Sequence, residues 1–131
     1  MRILPPYAAL FALFFVVLSL RIVRLRRGLR IALGNKGNET MLRAIRVHSN
    51  FAEYVPFSLL LIFLVEAQGA YPLLVHGLCL CLLAGRLSHA FGMSQSSENF
   101  RYRVFGMAMT FTTLITSAVY LLLTSARSLL A

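Results

Sequence analysis

Long apolar runs alternate with short polar connections along the chain, and this pattern predicts its architecture. Four runs approach or exceed the roughly 20 residues that a helix needs to cross a bilayer. They cover residues 3–20, 47–65, 67–85 and 104–126. Only the second run carries a charged residue, Glu53. We therefore predict an all-α membrane protein that forms a single four-helix bundle domain over residues 1–131.

Turn and capping signals set the predicted helix ends. Pro5-Pro6 suits the first turn of a helix, which tolerates proline. Helix one is expected to continue past its apolar run to about Leu33, because a turn rich in glycine and asparagine follows at residues 34–38. Asn38 or Thr40 would cap helix two. The other predicted limits are about residue 67 for the end of helix two, 72–91 for helix three and 100–125 for helix four.

The charge distribution predicts the orientation in the membrane. The formal net charge is +9 at pH 7, which on its own would also suit a nucleic-acid-binding protein. However, all but two of the 13 basic residues flank the first and third connections, and the exceptions are Arg2 and Arg127 near the termini. The positive-inside rule then puts these connections in the cytoplasm and both termini outside. We predict no nucleic-acid partner.

A polar stripe on helix two is the strongest candidate for a functional site. It consists of Arg43, Arg46, Asn50 and Glu53, at offsets of three, seven and ten from the first arginine, which share one helix face. One interpretation is that the arginines reach lipid phosphates while Glu53 neutralises one of them. The other is a pocket for an anionic ligand. Topology alone does not require an amide and a carboxylate below two arginines, so we favour the pocket.

A second set of cationic side chains follows on helices three and four. Arg86 and His89 lie near the end of helix three, and Arg101 and Arg103 open helix four. These residues could form only a basic rim of the bilayer. If the helices pack as a bundle, they meet the stripe of helix two on the same side. Converging positive charge would lower the pKa of a bound thiol and favour the thiolate.

The remaining histidines and cysteines predict no metal site. Cys79 and Cys81 are two positions apart, so on a helix they point to different faces and suit neither a shared metal nor a mutual disulfide. His48 and His76 have no companions at metal-ligand spacing. We expect each histidine to make a structural hydrogen bond.

Two stretches resemble a known family. Residues 43–56, RAIRVHSNFAEYVP, resemble the helix-two signature of the MAPEG family, the membrane-associated proteins in eicosanoid and glutathione metabolism. Residues 84–89, AGRLSH, are similar to the family's helix three, especially in small bacterial members. The resemblance implies a multi-pass protein of the inner membrane that assembles as a homotrimer. Glutathione would bind between neighbouring protomers on the cytoplasmic side, and a lipophilic small molecule would enter from the membrane lipids.

The resemblance also implies roles for individual residues. Glutathione's carboxylates and amine would be bound by the stripe of helix two, with contributions from helix three and from a neighbouring protomer. The implied ligand-binding residues are Arg46, Asn50, Glu53, Tyr54, Arg86 and Arg43, together with Arg26, Arg27 or Arg30 of the neighbour. Arg103, or alternatively Arg101, would match the arginine that stabilises the thiolate.

The chain departs from the family's pattern on helix three. Eicosanoid-synthesising members carry tyrosines there, whereas His89 and Met93 stand at the corresponding positions of this chain. Glutathione binding is thus better supported than catalysis, and His89 is a candidate hydrogen-bond donor. The expected function is a glutathione S-transferase or peroxidase acting on lipophilic electrophiles. The alternatives are a non-catalytic module that binds lipid head groups or partner membrane proteins, and a small exporter that uses Glu53.

Overall fold

The computed structural model describes residues 3–95 and 99–130, with side chains described as far as Arg127, so the topology signal at Arg2 lies outside the described residues. The described chain is all-α, and its helices are α1 (Leu4–Leu29), α2 (Glu39–Ala67), α3 (Pro72–Ser94) and α4 (Phe100–Leu130). Each of these four helices contains a stretch long and apolar enough to cross a membrane. The predicted all-α architecture is therefore confirmed, and its four helices are consistent with the predicted four-span membrane bundle.

Helix α1 ends at Leu29, four residues before the predicted limit at Leu33. The cause is Arg30, which adopts the left-handed conformation with φ 53° and so turns the chain out of the helix. The N–H of Ile31 then donates to the carbonyl of Arg26 at 3.0 Å, which closes the helix end. The prediction was wrong because the stop signal is a backbone conformation at an arginine, which the sequence does not mark.

Helix α2 begins after Asn38, whose side chain accepts a hydrogen bond from the N–H of Met41 at 2.9 Å. This contact identifies Asn38, and not Thr40, as the N-cap. The helix continues through Pro56 and ends at Ala67, as predicted. The polar stripe and the long apolar run therefore lie on one continuous helix.

Helices α3 and α4 approach each other most closely at glycines. A Cβ atom on Gly106 would lie 2.6 Å from the carbonyl oxygen of Gly85 and 2.7 Å from the Cβ of His89. A Cβ on Gly92 would similarly lie 2.7 Å from that of Tyr102. No larger residue fits at these positions without moving a helix, since real side chains do not approach so closely. The glycines thus hold this part of α3, with His89, directly against α4.

Polar contacts tie α1 to the other helices. The Glu66 carboxylate accepts from the backbone N–H groups of Ile3 and Leu4, and so satisfies donors at the start of α1. The Tyr7 hydroxyl is hydrogen-bonded to His76 Nδ1 at 2.9 Å. The hydroxyl of Ser19 is likewise bonded to His48 Nε2, at 3.0 Å. The predicted structural hydrogen bonds of both histidines are confirmed.

Candidate anion-binding site

Arg86 is a buried cation between α2, α3 and α4, with only 2% of its surface exposed. One guanidinium nitrogen donates to Oδ1 of Asn50 at 2.6 Å, and the other donates to the Gly106 carbonyl at 3.2 Å. The aromatic ring of Tyr54 lies 5.8 Å from the guanidinium carbon. Within the described residues no carboxylate pairs with Arg86, and its Nε is buried without a hydrogen-bond partner. The positive charge is thus solvated only by neutral groups, which is costly inside a membrane.

The close packing of α3 on α4 creates the acceptor that Arg86 uses. Because Gly85 and Gly106 lack side chains, the backbone of α4 comes within reach of the guanidinium. The same Gly106 carbonyl also accepts from the hydroxyl of Thr110 at 2.9 Å. The Thr110 bond lies within α4, whereas the Arg86 bond joins α3 to α4. The position of Arg86 is therefore set by backbone packing and not by an ion pair.

A cavity of about 440 Å³ opens beside Asn50, the residue that accepts a hydrogen bond from Arg86. Its lining comes from α2, α3 and α4 and consists of Asn50, His89, Phe100, Arg103, Val104, Met107, Ala108 and Phe111. The volume lies within the range of about 300–1,000 Å³ that is typical of small-molecule sites. One part of the wall offers an amide, an imidazole and a guanidinium, and the remainder is apolar. Such a cavity suits a ligand with an anionic part and a lipophilic part.

The cavity brings together predicted site residues from separate helices. Asn50 of α2, His89 of α3 and Arg103 of α4 all line it, and Arg86 lies behind this lining, bonded to Asn50. His89 is buried, with 4% of its surface exposed. Arg101 is exposed and is absent from the lining. Of the two arginines considered as thiolate stabilisers, Arg103 is therefore the one at the cavity.

Arg46 and Glu53 lie on an exposed face of α2. Neither side chain makes a hydrogen bond or ion pair within the described chain, so Glu53 does not neutralise Arg46 in this structure. Tyr54, the next residue, is half-buried, and its ring packs against Phe111 with a centroid distance of 5.9 Å. An exposed carboxylate on a membrane-spanning helix is expensive unless another group covers it.

Arg43 does not join the cavity beside Arg86. Its guanidinium donates to the backbone carbonyl of Gln95, beyond the end of α3. Arg26 donates to carbonyls of the first connection, including that of Ala32 at 3.1 Å. Arg27 and Arg30 are exposed. Within the single chain, none of these arginines lines the cavity beside Arg86.

Sequence reasoning missed the apolar wall of the cavity. Phe100, Val104, Met107, Ala108 and Phe111 lie at offsets of four, seven, eight and eleven along α4. This is the spacing of one helix face, so the periodicity carried a signal. The signal was hidden because a membrane helix is apolar on all sides. The bond from Arg86 to the Gly106 carbonyl could not be predicted, because nothing in the sequence except the glycine itself marks this backbone acceptor.

Comparison with known proteins gives consistent matches. A sequence model of the MAPEG family matches residues 4–123. "Inner membrane protein YecN" of Escherichia coli strain K12 is 39% identical to the chain over 109 residues, which cover 83% of this chain and 82% of that protein. The protein of the same name from Escherichia coli O6:H1 strain CFT073 gives the same identity, 39%, and the same coverage. No solved structure gives a significant match.

Proposed function

The chain belongs to the MAPEG family, and on this premise we propose that it binds glutathione beside Arg86 and uses it against lipophilic electrophiles. It is a multi-span protein of the inner membrane, in agreement with its four candidate spans and its inner-membrane relative. The proposed orientation, with the first and third connections in the cytoplasm, follows from the positive-inside rule. In that orientation cytoplasmic glutathione reaches the site directly.

The buried guanidinium of Arg86 is the observation that carries this proposal. It has no carboxylate partner in the described chain, and an unpartnered Nε atom remains. Glutathione carries carboxylates, an ammonium group and a thiol. The residues at or next to the cavity offer complementary groups, namely the cations Arg86 and Arg103 and the amide of Asn50. A bound carboxylate would compensate a charge that the protein alone leaves uncompensated.

A neighbouring protomer would complete the site. Arg46 and Glu53 are exposed on a spanning helix, and a second copy of the chain would cover them. In the proposed homotrimer, Arg46 binds a glutathione carboxylate and Glu53 accepts from its ammonium group, with Tyr54 nearby. Arg27 or Arg30 of the neighbour closes the site from the cytoplasmic side. The exposed positions of these residues in the single chain are compatible with roles at a protomer interface.

The proposed chemistry starts from the glutathione thiolate. Arg103 stabilises the sulfur anion, the thiol proton passes to water, and His89 is a hydrogen-bond donor at the site. In transfer, the sulfur forms a bond to an electrophilic carbon, and the leaving group departs with the bonding electron pair. With a lipid hydroperoxide, the sulfur attacks the O–O bond, and a second glutathione completes the reduction to alcohol, water and glutathione disulfide. The apolar wall on α4 would hold the lipophilic substrate in either case.

Two measurements test this function. Calorimetry on the purified protein in detergent should detect glutathione binding, and its absence would refute the proposal. Conjugation of glutathione to a chlorodinitrobenzene should then exceed the uncatalysed rate. Binding without turnover would favour the non-catalytic module. That alternative is supported by His89 and the buried Met93, which stand where eicosanoid-synthesising members of the family carry tyrosines.

A further inference from the structure

A second polar cavity lies between the C-terminal half of α1, the start of α2 and the end of α3. Its volume is about 230 Å³, and it is lined by Arg21, Glu39, Thr40, Arg43 and Ser94. None of these residues lines the cavity beside Arg86. Its ligand is therefore independent of the proposed glutathione function. The lining contains both signs of charge and two hydroxyl groups, and no apolar side chain.

Both guanidiniums in this cavity are anchored at the end of α3. Arg21 donates to the Ser94 hydroxyl at 2.5 Å, and Arg43 donates to the Gln95 carbonyl. These acceptors are neutral, so neither positive charge is neutralised by them. Each guanidinium keeps further N–H donors, since arginine presents several in a planar fork. Two such groups facing one cavity offer the charge and the donors that suit a phosphate group.

Glu39 supplies the opposite charge in the same cavity. It is the first residue of α2 and is exposed. Within the described residues its carboxylate forms no ion pair with Arg21 or Arg43, although all three side chains line the cavity. The carboxylate and both guanidiniums therefore line the same cavity without neutralising one another. That arrangement matches a ligand in which an ammonium group follows a phosphate.

The depth of the cavity identifies the source of such a ligand. Arg21 is the first charged residue after the apolar run of residues 3–20, and Arg43 precedes the apolar run that begins at Val47. Both guanidiniums thus lie where the hydrocarbon region ends and lipid phosphates begin. A free solute would have to come from bulk water, whereas the lipid phosphate is present at this level at high local concentration.

We propose that this cavity binds the head group of a phospholipid whose phosphodiester is followed by a primary ammonium, as in phosphatidylethanolamine. The phosphate contacts Arg21 and Arg43, with the hydroxyl of Thr40 as a further donor. The ammonium donates to Glu39. Phosphatidylcholine cannot make this last contact, because its quaternary ammonium has no N–H group. Phosphatidylglycerol has no ammonium at all.

Native mass spectrometry of the full chain with an equimolar mixture of phosphatidylethanolamine, phosphatidylcholine and phosphatidylglycerol tests the proposal. We expect phosphatidylethanolamine to be retained about tenfold more than the others, the ratio expected from one charge-assisted hydrogen bond. Glu39→Gln should reduce this preference without removing lipid binding, because a neutral amide oxygen binds an ammonium more weakly than a carboxylate does. An unchanged preference in Glu39→Gln would overturn the proposal.

Arginine substitutions test the phosphate contacts. Arg21→Gln and Arg43→Gln should lower retention of all three lipids, whereas Arg24→Gln should leave it unchanged. Arg24 is a matched control because it is an exposed arginine three positions along the same helix. Equal losses in Arg21→Gln and Arg24→Gln would refute a specific site. Because Arg21 and Arg43 also bond the end of α3, Glu39→Gln provides the test that does not break these bonds.

Competition with soluble ligands distinguishes the source of the phosphate. Inorganic phosphate and free phosphoethanolamine are each added at millimolar concentration to the lipid-bound protein. Retention of the lipid against both supports a head-group site in the membrane. Displacement by inorganic phosphate would show that a free anion is the ligand and would overturn the assignment to a lipid.

Discussion

The guanidinium of Arg86 donates to Oδ1 of Asn50 at 2.6 Å and so joins α3 to α2 beside the candidate site. Arginine has donors only, so the amide of Asn50 must present its oxygen to it. Asn50 lines the cavity, and its amide nitrogen is then left to donate to a ligand. The pair therefore combines a buried positive charge with an oriented donor, an arrangement that suits a carboxylate.

Removing either charged residue of the exposed α2 face should abolish glutathione binding. In Arg46→Ala a carboxylate of glutathione loses its cation, and in Glu53→Ala its ammonium loses its acceptor, each at a cost of about 2 kcal/mol or more. Calorimetry in detergent measures the affinity, and light scattering checks that the homotrimer survives. Arg24→Ala is the control, since Arg24 is an exposed arginine of α1. Unchanged affinity in both variants would contradict the proposed site.

Substitutions at Asn50 should separate stability from binding. Asn50→Leu removes an acceptor from the buried Arg86 and should lower the free energy of unfolding by about 1–3 kcal/mol. Asn50→Asp instead offers a carboxylate to the guanidinium and should preserve or raise the Tm. The same carboxylate neutralises the site, so glutathione affinity should fall at least about tenfold. If Asn50→Asp bound glutathione as tightly as the native chain, Arg86 would not be the anion-binding cation.

The close contact of α3 with α4 predicts a large cost for a single methyl group. Gly106→Ala would put a Cβ 2.6 Å from the Gly85 carbonyl oxygen and should destabilise the protein by about 1–3 kcal/mol. Gly77→Ala is the matched control on α3, because nothing lies within 4 Å of its added Cβ. The control should be neutral or stabilising, since alanine favours a helix over glycine by about 0.5–1 kcal/mol. Thermal unfolding in detergent measures both, and equal Tm values would refute this packing.

The number and approximate limits of the helices could be predicted from the sequence, because the length of each apolar run determines whether it can form a membrane-spanning helix. It predicted less of the site, because side-chain direction depends on neighbouring helices. At about 100° per residue, the stripe from Arg43 to Glu53 spreads over roughly 80° of the helix, and Arg43 lies at its edge. A long side chain at an edge can turn either way, and here it reaches the carbonyl of Gln95. Arg46 and Glu53 remain exposed because a single chain contains no group that covers them.

The position of Arg103 at the cavity predicts which arginine of α4 acts on the thiolate. Arg103→Gln should lower kcat for conjugation about a hundredfold, the typical cost of losing one group that stabilises developing charge. Arg101→Gln should cost far less, because Arg101 does not line the cavity. Thiolate absorbance on glutathione binding gives a readout independent of turnover. Arg127→Gln, at an exposed arginine near the other end of α4, is the control. A larger loss in Arg101→Gln would reverse the assignment.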